Sequence, residues 1–498
     1  MPFLLLILLT LVCLPDAKDR SAPPSWLGIQ GSIVLTWCGV AAIVGSAAFM
    51  GLWTRRLLAQ RPQERDQLLH RYLSWRFYHL LGLFLIYGLA LFGLGWGWVV
   101  SSPLAAGFLA DLPGTELLVL APFLVALVLS WAFFYDVEKA LHNADAPGEQ
   151  ATGYWSRSAY LVFQVRHNLT VVVVAVLLLI VVKNLPRLFP QSEGAAQTIG
   201  GGVTFLASVA FMPWIFRLVL ALKPLPDGPL RARLLATAQR LNFRCTNIFV
   251  WNTRSGVANA MLVGVLPVLR YVVFTDRLLA EMSPDEVEAV FGHEVGHVKH
   301  RHMLFYFGFI LVSLLVLTEL WRVLDLALAG LWNSSHLVEV LDLENHRDLA
   351  LVPVVALLGV YIFVVFGFVS RRCERQADLY GCRAVSCSHK DCSGHHSPTS
   401  LSSDLGLCPT GIQTFILALE KVACLNGISR DRPGWLQSWQ HSTIARRVEF
   451  LQNVRTDPAL ELRFQRKVRL LKWALFLGLC GLLLLLGPVS GWASMSFW

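Results

Sequence analysis

Charge is what this sequence has least of. Asp, Glu, Lys and Arg make up only 15% of its 498 residues, while 55% are hydrophobic. A disordered chain needs the opposite balance, low hydrophobicity with high net charge, so disorder of the whole is excluded. The net charge of +9 is not gathered on one polar module, which removes the compositional case for nucleic acid. The ten cysteines scatter singly, apart from a group between Cys373 and Cys408, so they build no secreted disulfide framework. A repeat of solenoid period is also missing. What the sequence has in quantity is apolar runs near 20 residues, the length that crosses a hydrocarbon core about 30 Å thick. The expected architecture is a mainly α, polytopic membrane helical bundle.

Spans are expected at 33–53, 77–100, 116–135, 169–182, 203–222, 303–317, 350–370 and 473–486, the fourth, sixth and last being short enough to extend into their flanks. Pro213 is expected to kink the fifth. Residues 1–20 read as a possible signal peptide or anchor, although a basic start is lacking. Arg55, Arg56, Arg61, Arg65, Arg71 and Arg76 crowd the first connecting loop, and 101–114 holds no Lys or Arg. Basic residues then return with Lys139, Arg157 and Arg166. The positive-inside rule therefore places the N-terminus outside and the two large polar segments, 223–302 and 371–469, on the cytoplasmic side. Five spans precede the first segment, two separate it from the second, and a C-terminal span follows over 470–498.

Those two segments hold the chemistry. The first reads as a helix over 230–241, strands over 248–251, 258–263 and 270–275 with a turn at 264–267, and a second helix. Ser283 as N-cap, Pro284 at the first helical position and Glu286 two further on form a capping box. That helix carries His293-Glu294-Val295-Gly296-His297, an H-E-x-x-H sequence. Residues at i and i+4 share a helix face, so both imidazoles reach one Zn²⁺, and Glu294 is placed as general base toward a water the metal acidifies. Zinc needs a third protein ligand, and Glu374 is the candidate. Asp378, one turn later on a helix continuing from the seventh span, would hydrogen-bond a ligand histidine. The alternative is that both carboxylates are solvated partners of Arg371, Arg375 or Arg383. Two imidazoles and a carboxylate suit zinc without forbidding other divalent ions. His300 and His302 lie too far along a continuous helix to join the same metal. Glu319 and Arg322, at i and i+3, read as a structural pair. The insertion at 382–408 carries Cys387, His389, Cys392, His395 and His396, but its spacing is unusual for zinc, so one Zn²⁺ per chain is expected.

The H-E-x-x-H helix, the Glu374-x-x-x-Asp378 segment and Asn259-Ala260 together resemble the integral-membrane zinc metallopeptidases of the CAAX prenyl endoprotease and HtpX-like family. The resemblance implies seven spans around a chamber plus an extra C-terminal span, with a small cytoplasmic α+β zincin-like (gluzincin) catalytic domain. It implies that His293, His297 and Glu374 bind zinc and that Glu294 is catalytic. It also implies that Asn259 and Ala260 bind substrate as an edge strand, that His441 stabilises the oxyanion and that Arg447 pairs with Asp378. Many relatives have Pro after the histidine that matches His441; Ser442 stands there in this chain. The function so implied is zinc metalloendopeptidase action on membrane-associated peptides or proteins, CAAX-endoprotease-like. The alternatives are HtpX-like quality control of membrane proteins, or a non-enzymatic transporter or zinc-binding scaffold. The implied partners are substrate and lipid bilayer, with no nucleic acid. The membrane would be the cell membrane in a bacterium, or the endoplasmic reticulum or nuclear envelope in a eukaryote.

Overall fold

The computed structural model describes residues 22–102, 115–145, 155–169, 203, 210–254, 256–332, 357, 359–387, 392, 407–431 and 439–489. The chain divides into two compact units, Pro2–Phe205 with Ser334–Val355, and Leu206–Asn333 with Ala356–Trp498. The expectations for 1–20, nearly all of the fourth span, 204–209 of the fifth and the first part of the seventh lie outside the described residues.

The N-terminal unit is helical. Its elements are α1 (Gly28–Gln60), α2 (Arg65–Gly88, prolonged by a π-turn over Leu89–Gly93), α3 (Trp96–Ser101) and α4 (Thr115–Asp145). Tyr72, Tyr87 and Phe123 are buried among them, while Phe49, Leu52 and Leu85 are exposed. Apolar side chains on the outer face as well as the inner one fit a helix surrounded by lipid. Arg76 and Glu138 join α2 to α4 at 2.6 Å.

Five helices are long and apolar enough to cross a membrane among the described residues: Gly28–Gln60, Gln67–Gly93, Leu117–Ala140, His302–Leu320 and Ala459–Pro488. They correct two sequence expectations. The helices outrun their apolar stretches, because hydropathy marks the lipid-facing length whereas backbone hydrogen bonding continues into polar flanks of good helix formers. The second span is also not one helix over 77–100. It begins at Arg65 and breaks at Leu94–Gly95, where glycines at 88, 93 and 95 weaken the helix before α3 starts.

The second unit carries the small sheet. Strands β1 (Lys223–Pro224), β2 (Asn247–Trp251), β3 (Ala260–Val263) and β4 (Tyr271–Thr275) lie in the order β1-β2-β4-β3, with β2 and β4 parallel and the other pairs antiparallel. β4 is buried along its whole length. Around the sheet lie α5 (Pro229–Arg240), α6 (Asp276–Glu281), α7 (Pro284–Lys299), α8 (His302–Trp332), α9 (Gly367–Ala384), α10 (Pro409–Leu425), α11 (Ile444–Thr456) and α12 (Ala459–Val489). A helical stretch from 359 continues through a π-turn over Ile362–Phe366 into α9. Phe274, Phe291, Val295, Leu379 and Phe415 share the core of this unit. Burying one such side chain is worth roughly 1.5–3 kcal/mol.

Two features place α7. At its start Ser283 Oγ accepts the Glu286 N–H at 3.3 Å and Glu286 Oε2 accepts the Ser283 N–H at 2.7 Å, the expected capping box. Along its length, α7 lies so close to α9 that a Cβ on Gly296 would come within 2.7 Å of Tyr380 Cβ and 3.0 Å of Ala377 Cα. A Cβ on Gly292, one turn earlier, would run into Ala384 Cβ. Glycine at i and i+4 thus permits the helix approach that brings Glu374 to the histidines.

Candidate active site

His293 and His297 project from one face of α7, and Glu374 projects from α9. His293 Nε2 lies 3.3 Å from His297 Nε2, and Glu374 oxygens lie 3.8 and 3.6 Å from these two nitrogens. Tetrahedral zinc with bonds of about 2.1 Å sets its ligand atoms roughly 3.4 Å apart, so the three donors already stand at metal-binding spacing. Other partners occupy the opposite ring nitrogens. His293 Nδ1 lies 3.0 Å from Asp378 Oδ1, and His297 Nδ1 lies 3.0 Å from His302 Nδ1. Both Nε2 atoms are therefore turned toward Glu374. Burial pulls His297 down to about 4, which keeps its imidazole neutral, the form that ligates a metal. Burial opposes ionisation of Glu374, yet His441, His297 and Arg447 outweigh it and hold the carboxylate well below its usual range.

Asp378 is fully buried and accepts two hydrogen bonds from Arg447, with Nε at 2.9 Å and Nη2 closer still. Arg447 Nη1 also stands 3.7 Å from Glu374. The solvated-carboxylate reading fails here, because none of the three neighbouring arginines takes these acids. Arg371 bonds the Trp439 carbonyl, Arg383 pairs with Glu461, and Arg375 lies over Phe450. A buried carboxylate forked by Arg447 fixes the ring of His293 in the way such outer partners orient metal ligands.

Glu294 lines a cleft of about 610 Å³ together with both histidines, Glu374, His441 and β3. Burial, with the Glu374 charge added, pushes the Glu294 carboxyl up to about 7, against His293, the Leu262 N–H and His441. A carboxyl poised near neutrality can both take up and release a proton. His441 is more than half exposed, and its Nδ1 lies 3.0 Å from Glu374 Oε2.

β3 pairs only with β4 among the described residues, so it is an edge strand. Ala260 opens it and Asn259 immediately precedes it, where the Asn259 carbonyl accepts the Thr275 N–H at 2.9 Å. By the alternation of an antiparallel ladder, Ala258, Ala260 and Leu262 then turn their backbone groups away from β4. The ends of that outer edge are engaged. The Asn426 side chain accepts the Ala258 N–H at 3.0 Å and donates to its carbonyl at 2.7 Å, and the Leu262 N–H reaches Glu294. Ala260 lies between them, facing the cleft.

The profile of one protein family, Peptidase family M48, matches residues 224–454. Through these residues the chain is similar to Peptidase family M48. Among similar proteins, "CAAX prenyl protease 1 homolog" of Oryza sativa subsp. japonica is 29% identical over 194 residues, 36% of this chain and 43% of that protein. "Protease HtpX homolog" of Methanocaldococcus jannaschii is 30% identical over 127 residues, 25% of this chain and 42% of that protein. This chain thus spans less than half the length of either relative. The crystal structure of S. mikatae Ste24p overlays 84% of this chain and 98% of that one, with a TM-score of 0.48 and 15% identity.

Contacts around the two histidines also include ones that sequence reasoning did not foresee. His302 is fully buried against His297. Its Nε2 lies 3.1 Å from Gln376 Oε1, which also accepts Lys472 Nζ at 3.1 Å, while the Gln376 amide donates to Gln465. Counting nine residues from His293 along one helix put His302 out of reach. In fact α7 ends, Arg301 takes a positive φ of 52°, and α8 starts anew at His302, which folds that side chain back onto His297. The polar first half of α12 supplies Gln465 and Lys472 to this network.

Proposed function

We propose that this protein is a membrane-embedded zinc metalloendopeptidase that hydrolyses peptide bonds of membrane-associated substrates in the manner of a CAAX endoprotease. The observation that carries the reading is the convergence of His293 Nε2, His297 Nε2 and a Glu374 carboxylate at metal-binding spacing, with Glu294 beside them in the cleft. The donor set fits zinc: two imidazoles with their outer nitrogens engaged, one buried carboxylate, and one tetrahedral position left for water or substrate. When bound, zinc supplies Lewis acidity that brings a water's pKa toward about 7 and polarises the scissile carbonyl. Glu294 takes the proton from that water and returns it to the leaving amine. His441, exposed at the rim, donates a hydrogen bond to the oxygen where negative charge develops. Asp378 and Arg447 hold His293, and His302 holds His297, so the ligands need no reorganisation on binding.

Substrate would add as a strand to the free part of β3, pairing with the Ala260 backbone while Asn259 fixes the strand end. Peptide bound through its backbone can vary in sequence, so selection would rest on the membrane-associated part of the substrate. The CAAX prenyl protease relatives make a prenylated C-terminal peptide the first substrate to test, and the cytoplasmic side of the membrane the place where the domain would meet it. The test uses the full chain in liposomes with a labelled prenylated peptide. Glu294→Gln is expected to keep its zinc and lose about 10²–10⁴-fold in turnover. A Glu294→Gln variant that cleaves as fast as the parent would sink the mechanism.

A further inference from the structure

A second set of metal-ligand side chains lies at the far end of α9. Cys387 follows the last turn of that helix, Cys408 is the N-cap of α10, and Cys392 sits on the chain between them. Their Sγ atoms lie within 4.8 Å of one another. Thiolates on tetrahedral zinc, with bonds of about 2.3 Å, stand roughly 3.8 Å apart, so small side-chain rotations close the set. We propose that Cys387, Cys392 and Cys408 bind a structural zinc ion distinct from the His293–His297–Glu374 centre.

Three further observations support a built site over an incidental gathering of small hydrophobes. Cys387 and Cys408 are buried and Cys392 is half-buried, which leaves an ion access from one side. The Cys408 sulfur accepts backbone N–H groups from Gly411 at 3.3 Å and Cys387 at 3.5 Å, the donors a charged sulfur needs in a buried place. Pro409 follows Cys408 directly, removing one N–H and starting a helix whose free N–H groups point back at the sulfur.

The backbone around the cysteines is fixed without any metal. Thr410 Oγ1 donates to the Cys392 carbonyl at 3.1 Å and lies 3.4 Å from its sulfur. The Cys408 N–H donates to Ser386 Oγ at 3.2 Å, and Ser386 Oγ donates to the Cys382 carbonyl at 2.7 Å. Binding would release three thiol protons to solvent as three Zn–S bonds form, leaving the fourth position to a water or another donor. The ion would tie together chain positions 21 residues apart. It would fix the end of α9, which carries Glu374 and Asp378, to the start of α10, whose Phe415 stacks on the His293 ring at 5.9 Å.

The test is metal analysis of the full-length protein, purified in detergent under reducing conditions. The parent is expected to hold about two zinc ions per chain. His293→Ala/His297→Ala and Cys387→Ser/Cys408→Ser should each hold about one. Should the double cysteine variant fail to fold, cobalt decides. In the His293→Ala/His297→Ala background, Co²⁺ should give the near-ultraviolet charge-transfer band of thiolate ligation, and the milder Cys392→Ser should reduce it. One zinc in the parent that disappears with the two histidines would overturn the proposal, as would a disulfide among the three cysteines in non-reduced peptide maps. Full zinc content after removing both histidines would instead refute the catalytic reading and leave this one standing.

Discussion

His293, His297 and Glu374 stand on two helices locked together along their length, whereas Cys387, Cys392 and Cys408 stand on connecting chain held at single hydrogen bonds. In the first group, helix geometry sets the spacing and each histidine has an outer partner: Asp378 with Arg447 for His293, His302 for His297. In the second, backbone donors act on the Cys408 sulfur directly. A centre that must act on a substrate needs ligands fixed to a fraction of an ångström. An ion that only ties two chain ends needs donors of the right type within reach. The two groups share α9, yet they should fail separately.

The sharpest separation should come from Gly296→Ala. The added methyl would press on Tyr380 Cβ and Ala377 Cα and push α7 from α9, moving Glu374 relative to the histidines. Overpacking of this kind costs about 1–3 kcal/mol. A displacement near 1 Å at the centre can cost about 100-fold in rate. The expected outcome is about that loss in kcat/KM, with the cobalt–thiolate band of the cysteine group retained. A variant of full activity would show that the close helix approach does not position Glu374.

His302→Ala should come next. Removing it leaves His297 Nδ1 without the group that orients the ring, and outer partners of this kind are worth about 10–100-fold in metal affinity. Competition with a chelator should show the centre losing zinc earlier, with the cysteine group unaffected. His302→Asn, which keeps a polar group facing His297, should recover part of the affinity. A purely structural role for His302 would lower the melting temperature of both variants alike and leave the chelator curve unchanged.

Legibility followed the same division. Helical spacing located α5, a capping box located the start of α7, and the H-E-x-x-H spacing put two histidines on one face, because a helix converts sequence spacing directly into spatial spacing. Glu374 and Asp378 were legible for the same reason, once α9 was read as continuous with the preceding span. Arg447 and His441 came only through resemblance, since no local pattern joins residues some seventy positions apart. The contact of His302 with His297 was not legible, because a helix break at Arg301 replaces the assumed straight run. The cysteine group was discounted because loop spacing carries no fixed geometry; only folding brought Cys408 back beside Cys387. Gln465 and Lys472 looked like the polar flank of a span and had no local signal of their role.

The smallest effect belongs to the start of α7, upstream of both groups. Ser283→Ala removes the acceptor for the Glu286 N–H and should lower stability by about 1 kcal/mol, read as a lower thermal midpoint in detergent. Its pH dependence follows from Glu286. Burial would raise that carboxyl, but the Ser283 backbone N–H and Lys421, at 3.1 Å, outweigh it and hold it below its usual range. A carboxylate depressed on folding contributes stability that is complete above its unfolded pKa, about 4.3, and is lost as pH falls through the lower folded value. The exposed side of this pair is screened by solvent, so the contribution is small. The cost of Ser283→Ala should therefore be constant from pH 6 to 8, where Glu286 stays ionised. It should shrink in acid, as protonation of Glu286 weakens the other half of the capping box in the parent. A cost that grew in acid would mean that Ser283 and Glu286 do not cap α7 together.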